Sequence, residues 1–389
     1  MSPCSVTETP HAAVVLAMDL IRCPSVAPVD GGAQLYLRER FSNNGFDVHP
    51  VDVDGIMNTW ACIGDHGPLV VFAVHSDVVP SGDVGDWTNP PFDPCVRDGM
   101  LFGRGAADMK GPLSAAVVAV ERFLACQKGT LPVRIGFLVA GDEEPVQNHG
   151  TQDLIRFLKS RGESLDYCIV TEPTSVSVFG DTVKVGRRGS INGFLSVLGK
   201  QGHAAYPEFA RNPVHQSMRV LHAMTERLWD EGDSNFPPAG FQITNMHSGT
   251  GAANVIPARL EVQFNVRHGP GLTLEQVDGK VRELLDMAGL QYKLECVSDA
   301  LPFRVKQGQL TQICIESIEE VVGMQPQLST GGGTSDARFV APHCRELVEF
   351  GLVGDTSHHV DERVAVDELV QLTEVYQGML SRISIAGEG

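Results

Sequence analysis

This sequence predicts an α/β fold: a central mixed sheet flanked by helices, with a smaller α+β domain inserted into it. Three observations lead there. Short runs rich in Val and Ile at residues 68–74, 133–140 and 166–171 read as strands buried on both faces, as in parallel or mixed sheets. Strand and helix patterns alternate through the first half of the chain. From about residue 182 the rhythm changes to a β-α-β-β-α-β order, the split βαβ unit of ferredoxin-like domains.

The elements follow in order. Residues 12–18 are apolar but soon meet Asp19 and Arg22, so they read as one face of a helix ending before Pro24; they are too short to span a bilayer. The strand at 68–74 runs into His75. A helix is expected over 112–125, because Pro112 suits a first turn and Gly129 lies beyond the end. The strand at 133–140 leads through Gly141 to Asp142, Glu143 and Glu144, and the strand at 166–171 leads to Glu172. Within the insert, strands are expected at 193–198, 241–244, 259–266 and 291–295, with helices at 213–229 and 274–288. Polar and apolar residues alternate over 259–266, which predicts a sheet with one exposed face. A last apolar run at 347–353 precedes His358 and His359. The expected division is a larger domain formed by 1–181 and 297–389, with a second domain at 182–296.

The composition bounds the function. With 389 residues and 42% hydrophobic content the chain can bury a large core, and its length suggests about two to three domains. A net charge of -18 without a basic stripe argues against nucleic acid as a partner. Nine scattered cysteines without a C-x-x-C pair predict reduced thiols in a cytoplasmic protein.

In open α/β sheets, ligands bind beyond the carboxyl ends of the strands. His75, Asp77, the acidic triplet and Glu172 should therefore meet at one rim, with Asp108 and the late histidines joining them. A single His-x-Asp is common by chance, and a single Asp-Glu-Glu is more often a solvated charge run. Several carboxylates gathered at a sheet rim are costly unless they are paired or bind a cation. Carboxylates with imidazoles and without thiolates suit Zn²⁺, with Mn²⁺ or Co²⁺ as substitutes.

Several motifs resemble those of the M20 metallohydrolases: His75-Ser-Asp-Val-Val-Pro-Ser-Gly82, Gly103-Arg-Gly-Ala-Ala-Asp-Met-Lys-Gly111, Asp142-Glu-Glu144 and Thr171-Glu-Pro173. More narrowly, Val185-Gly-Arg-Arg-Gly-Ser-Ile-Asn192, Gly202-His-Ala-Ala-Tyr-Pro207, Asn254-Val-Ile-Pro257, Gly332-Gly-Thr-Ser-Asp336 and Glu349-Phe-Gly351 resemble the succinyl-diaminopimelate desuccinylase branch. The resemblance spans nearly the whole chain. It implies a zinc-peptidase-like catalytic domain, an inserted ferredoxin-like dimerisation or lid domain, and a cytoplasmic homodimer. The implied reaction is hydrolysis of N-succinyl-LL-2,6-diaminopimelate to succinate and LL-2,6-diaminopimelate.

The resemblance also implies roles. One zinc ion would be held by His75 and Glu172, a second by Glu144 and His358, and Asp108 would bridge them. Glu143 would be the general base, and Asp77 would accept the free N–H of the His75 ring. Where the family has one histidine, a variable residue and then Val-Asn-Glu, this chain reads His358-His359-Val360-Asp361-Glu362; counting back from Val360 points to His358 and leaves His359 on the surface. Arg187, Arg188 and Arg267 are candidates to grip substrate carboxylates, because a guanidinium pairs bidentately with them. For any one of them, and for Arg187 with equal weight, the alternative is a structural ion pair. Asn254 and the turn containing Gly333, Thr334 and Ser335 resemble substrate contacts, and the turn lacks the form of a phosphate loop. His203 would stabilise the oxyanion in the neighbouring subunit, or else be a core histidine beside Tyr206 and Pro207. The segment after Glu144, with His149, departs from the Gly-containing continuation expected there. The enzymatic alternative is another M20 activity: acetylornithine deacetylase, aminoacylase or carboxypeptidase. From a different class, the chain would be a non-catalytic metal-binding dimeric protein, a role that has no need of Glu143.

Overall fold

The computed structural model describes residues 11–144 and 150–386. His149 and its neighbours at 145–148 lie outside these. The chain separates into two compact units, one comprising 1–185, 305–328 and 335–389, the other 186–304 and 329–334.

The first unit is built on an eight-stranded mixed sheet. Its spatial order is Asp47–Pro50, Thr59–Ile63, Arg134–Ala140, Leu69–His75, Leu165–Val170, Cys344–Glu349, Thr182–Lys184 and Gln327–Ser329. The four strands in the middle, Arg134–Ala140 to Cys344–Glu349, are mutually parallel. All seven residues of Leu69–His75 are buried, as their Val-rich run requires of a strand covered on both faces. Register brings the carboxyl ends of these strands level: His75 pairs with Ala140, Ala73 with Val170, and Glu349 with Val170. One rim therefore receives the residues that follow each strand.

Helices Ala12–Ile21, Lys110–Cys126, Gln309–Val322 and Val366–Ala386 share a core with this sheet. Phe72, at its centre, stacks on Phe137 at 5.4 Å and meets the edge of Tyr376 at 5.4 Å. Burying one such ring contributes about 1.5–3 kcal/mol. The run at 347–353 continues an actual strand, Cys344–Glu349, only as far as Glu349. Beyond it Gly351 crosses the main chain of Glu172 so closely that a Cβ would lie 2.4 Å from its carbonyl oxygen. No side chain fits there. No helix of the described residues is long and apolar enough to cross a membrane.

The second unit is a four-stranded antiparallel sheet in the order Gly240–Ser248, Arg259–His268, Gly189–Leu198, Tyr292–Ala300, with helices Pro213–Glu226 and Leu274–Met287. Numbered along the chain this is 2-3-1-4, the split βαβ arrangement. Helix Leu274–Met287 begins with a capping box in which Thr273 and Gln276 exchange side-chain to backbone bonds. Arg259–His268 alternates buried and accessible positions, and Phe194 on the neighbouring strand is 44% exposed, so one face of the sheet is open. The helix expected to reach Trp229 stops at Glu226, and Trp229 instead tucks into the core, stacked on Phe241 at 5.0 Å. The last strand runs on to Ala300 rather than ending at 295, because its partner Gly189–Leu198 begins earlier than expected.

Candidate metal centre

His75 ends its strand at the rim, fully buried. Its Nδ1 lies 3.0 Å from the main-chain oxygen of Asp77, which can only accept, so Nδ1 carries a proton and Nε2 is the nitrogen turned to the site. The Asp77 carboxylate stands farther from Nδ1, at 3.6 Å. It is turned instead towards the acidic triplet, accepting from the amides of Glu143 at 3.0 Å and Glu144 at 3.1 Å. The expected carboxylate bond to the ring is thus replaced by a carbonyl bond, and Asp77 orders the turn that carries both glutamates.

Two acids approach Nε2. Asp108 Oδ1 is 3.3 Å away and Glu172 Oε1 3.9 Å. The second oxygen of Asp108 faces another imidazole, that of His358, at 3.4 Å, and Glu144 Oε2 lies 3.2 Å from the same ring nitrogen. Asp108 therefore stands between two histidines with one oxygen towards each. Donor atoms of His75, Asp108 and Glu144, and likewise of His75, Glu143 and Glu172, fall within 4.8 Å of one another. His359 is exposed, and its amide closes a turn onto Thr356 O at 3.0 Å.

Asp108 does not follow a strand of the main sheet. It follows Met100–Phe102, in a separate sheet of three short strands, through the loop Gly103–Ala107 into helix Lys110–Cys126. The loop turns at Gly105, where φ is +90° and a Cβ would meet Lys110 Cδ at 2.9 Å. Only glycine suits it. His358 is itself held at a φ of 63°, a conformation that costs a non-glycine residue about 1–3 kcal/mol and clusters at functional sites.

The electrostatics follow from the crowding. Burial opposes a charge on His75, but Asp108 and Asp77 outweigh it and hold the imidazole well above its usual range. Hydrogen bonds to Asp108 and Glu144 push His358 up to about 10. Burial, with Asp336 and Glu172 nearby, raises Glu143 well above the usual carboxylate range. The cluster thus attracts positive charge at two points, and a proton is the weaker substitute for a cation. Oε1 of Glu144 is buried without a hydrogen-bond donor, an orphan that a metal ion satisfies. The donor types, carboxylates and imidazoles, fit a divalent cation, which would displace the imidazole protons.

A family model described as peptidase family M20/M25/M40 matches residues 71–382. The succinyl-diaminopimelate desuccinylase of Azoarcus sp. (strain BH72) is 44% identical over 98% of this chain and 100% of its own length. The chain belongs to peptidase family M20/M25/M40. The desuccinylase of Acinetobacter baumannii (strain ACICU), 44% identical over 95% of this chain and 97% of its own, is a further relative. Among solved structures, an M20 family metallo-carboxypeptidase from Sulfolobus solfataricus superposes with a TM-score of 0.78 at 18% identity, covering 96% of this chain and 100% of the other. A dinuclear metal-binding M20 peptidase from Bacillus subtilis gives 0.69 at 14% identity, covering 97% and 98%. These two share the fold. As a family member, this chain is a metal-dependent hydrolase.

The remaining predicted residues lie in the second unit, apart from Ser335. Arg187 and Arg188 reach the carbonyls of Gly333 and Gly332, each at 3.4 Å. Nε of Arg188 and Nη1 of Arg267 are buried without acceptors, and burial, joined by the charge of Arg188, depresses Arg267. Two half-buried cations that repel each other, each with an unpartnered donor, suit an anionic ligand. Asn254 is exposed, and its carbonyl accepts from Ala204 N at 2.9 Å, beside His203. His203 is exposed rather than a core residue, with its ring 5.6 Å from Tyr206 and its Nδ1 accepting from Ala205 N at 3.1 Å. A Cβ at Gly333 would meet nothing, so the turn is open to approach. Thr334 is partly accessible, while Ser335, in the first unit, is buried with its Oγ unpartnered. The sequence reading missed Glu362 and Arg104, a fully buried pair joined at 2.7 Å behind Asp108. Their only signal was two charged residues inside the quoted motifs.

Proposed function

We propose that this chain hydrolyses the amide of N-succinyl-LL-2,6-diaminopimelate, releasing succinate and LL-2,6-diaminopimelate, with two zinc ions and as a cytoplasmic homodimer. The observation that carries the reading is Asp108, with one carboxylate oxygen towards each of two imidazoles. His75 and Glu172 would hold one ion, Glu144 and His358 the other, and Asp108 both. When bound, such a pair supplies Lewis acidity and makes water a competent nucleophile near neutral pH.

The chain's own residues would do the rest. Glu143, in a small cavity with His75, Glu172 and Asp336, would take the proton of the attacking water and deliver it to the departing amine. Its raised pKa suits both halves of that task. Asp77 would hold Glu143 and Glu144 by their amides while its carbonyl fixes the His75 ring. Arg187, Arg188 and Arg267 would hold the substrate's distal carboxylates, with Asn254, Gly333, Thr334 and Ser335 lining its path. His203 of a neighbouring subunit would donate to the oxyanion. In this reading the first unit, expected as 1–181 and 297–389, is catalytic, and the second, expected as 182–296 and observed as 186–304 with 329–334, serves dimerisation and closure.

Substrate choice rests on the relatives' names and on the arginines. Its test is a hydrolysis panel of succinylated diaminopimelate, acetylornithine and acyl amino acids, with zinc supplied. A clear preference for the first is expected, and equal or better turnover of another overturns the assignment.

A further inference from the structure

Behind the proposed ligands lies a second polar knot. The carboxylate of Glu362 is fully buried and collects four donors from the Asp108 loop, one each from Arg104, Gly105, Ala107 and Asp108. Oε1 accepts from the amides of Ala107 at 2.8 Å and Asp108 at 3.1 Å. Oε2 accepts from the amide of Gly105 at 2.9 Å and from Arg104 Nη1 at 2.7 Å. The main-chain oxygen of Glu362 takes a further amide, that of Gly103, at 3.0 Å. The other Arg104 nitrogen, Nη2, points to the carbonyls of Pro80 and His358, at 3.4 and 3.5 Å. The knot joins the segments after His75, before Asp108 and after His358.

We propose that Glu362 is a positioning residue: it locks the loop bearing Asp108 to the loop bearing His358, so that the metal-binding geometry is set before any ion arrives. This rests on the reading of those two side chains as ligands. The His358 loop needs such an anchor because its backbone is not relaxed, with φ at 63° for His358 and 57° for Asp361. Its neck is closed by Thr356 Oγ1, which donates to Arg363 O at 2.8 Å and accepts from Arg363 N at 3.1 Å. Asp361 is tied to Thr88 through its amide at 2.8 Å and its hydroxyl at 2.6 Å. Among the described residues, only Glu362 connects this loop to the amide of Asp108 itself. A carboxylate is required rather than an amide, since all four side-chain contacts come from donors. An NH₂ group in either oxygen's place would face two of them.

The test compares wild type, Glu362→Gln, Glu362→Asp and Asp108→Ala after removal of metal with a chelator. Zn²⁺ affinity is read by competition with a chromophoric chelator, coordination geometry by the visible absorption of bound Co²⁺, and folding by circular dichroism. Glu362→Gln should fold and bind Zn²⁺ about 10- to 100-fold more weakly, as losses of residues supporting metal ligands do. Its Co²⁺ spectrum should shift. Glu362→Asp keeps the charge opposite Arg104 but draws the oxygens back from the amides, so its loss should be smaller and in the same direction. A folded Glu362→Gln with wild-type affinity and spectrum overturns the proposal. If that variant does not fold, wild-type affinity in Glu362→Asp overturns it equally. Wild-type affinity in Asp108→Ala would instead defeat the ligand reading, whatever Glu362 does.

Discussion

Replacing Arg267 by Met should make the free protein more stable and a poorer enzyme. Nη1 of Arg267 is buried without an acceptor, and burial together with Arg188 disfavours its charge. A buried unsatisfied donor costs about 1–3 kcal/mol, while Met retains most of the aliphatic stem. Because the rest of the guanidinium stays partly accessible, the low end applies, a gain of about 1 kcal/mol. For a unit the size of 186–304 with 329–334, that is about 4 °C in Tm. If the same guanidinium pairs with a substrate carboxylate, losing a hydrogen bond between charged groups removes about 1.5–3 kcal/mol, or roughly 10- to 150-fold in kcat/KM. Calorimetry of the free protein and initial rates on succinylated diaminopimelate measure both sides. A lower Tm with unchanged kcat/KM would refute the argument, since Arg267 would then be a structural cation with satisfied partners.

Three further outcomes are expected. Glu143→Ala should lower kcat by about 10²–10⁴ while retaining metal; mixing it with inactive His203→Ala should restore activity in mixed dimers, and no recovery would mean that His203 does not act across subunits. His358→Ala should lose bound metal by elemental analysis while His359→Ala keeps it, and the reverse would move the ligand by one residue. In metal-free protein the bonds that raise His358 to about 10 stabilise the fold fully below about pH 6.5, and that contribution is lost as pH rises through about 10. The urea midpoint should fall across this window and do so less in His358→Gln; an equal fall in both would remove His358 as the cause.

Much of the architecture was legible because it depends on local pattern. Val-rich runs report strands buried on both faces, and the alternation over 259–266 reports a sheet with one open side, because side-chain direction repeats every two residues. Those signals gave His75 and Glu172 their place at the rim. Asp108 was harder to place, because the strand before it, Met100–Phe102, has three residues and is too short to show a period. The helix end at Glu226 and the strand end at Glu349 were misjudged for a related reason. Apolar residues continue past both, and only packing, of Trp229 on Phe241 and of Gly351 against Glu172, turns the chain away.

The sequence alone determined the inventory: which carboxylates and imidazoles the chain has, and which strands and helices carry most of them. The tertiary structure decided which oxygen faces which nitrogen. It turned the Asp77 carboxylate from the His75 ring to the amides of Glu143 and Glu144, and it set Asp108 between two imidazoles. It also brought Glu362 onto the amide of Asp108 from 254 residues away. The physical reason is that hydrophobic periodicity encodes burial and facing, whereas hydrogen bonds between loops are fixed by strand register and by backbone amides that leave no trace in residue type.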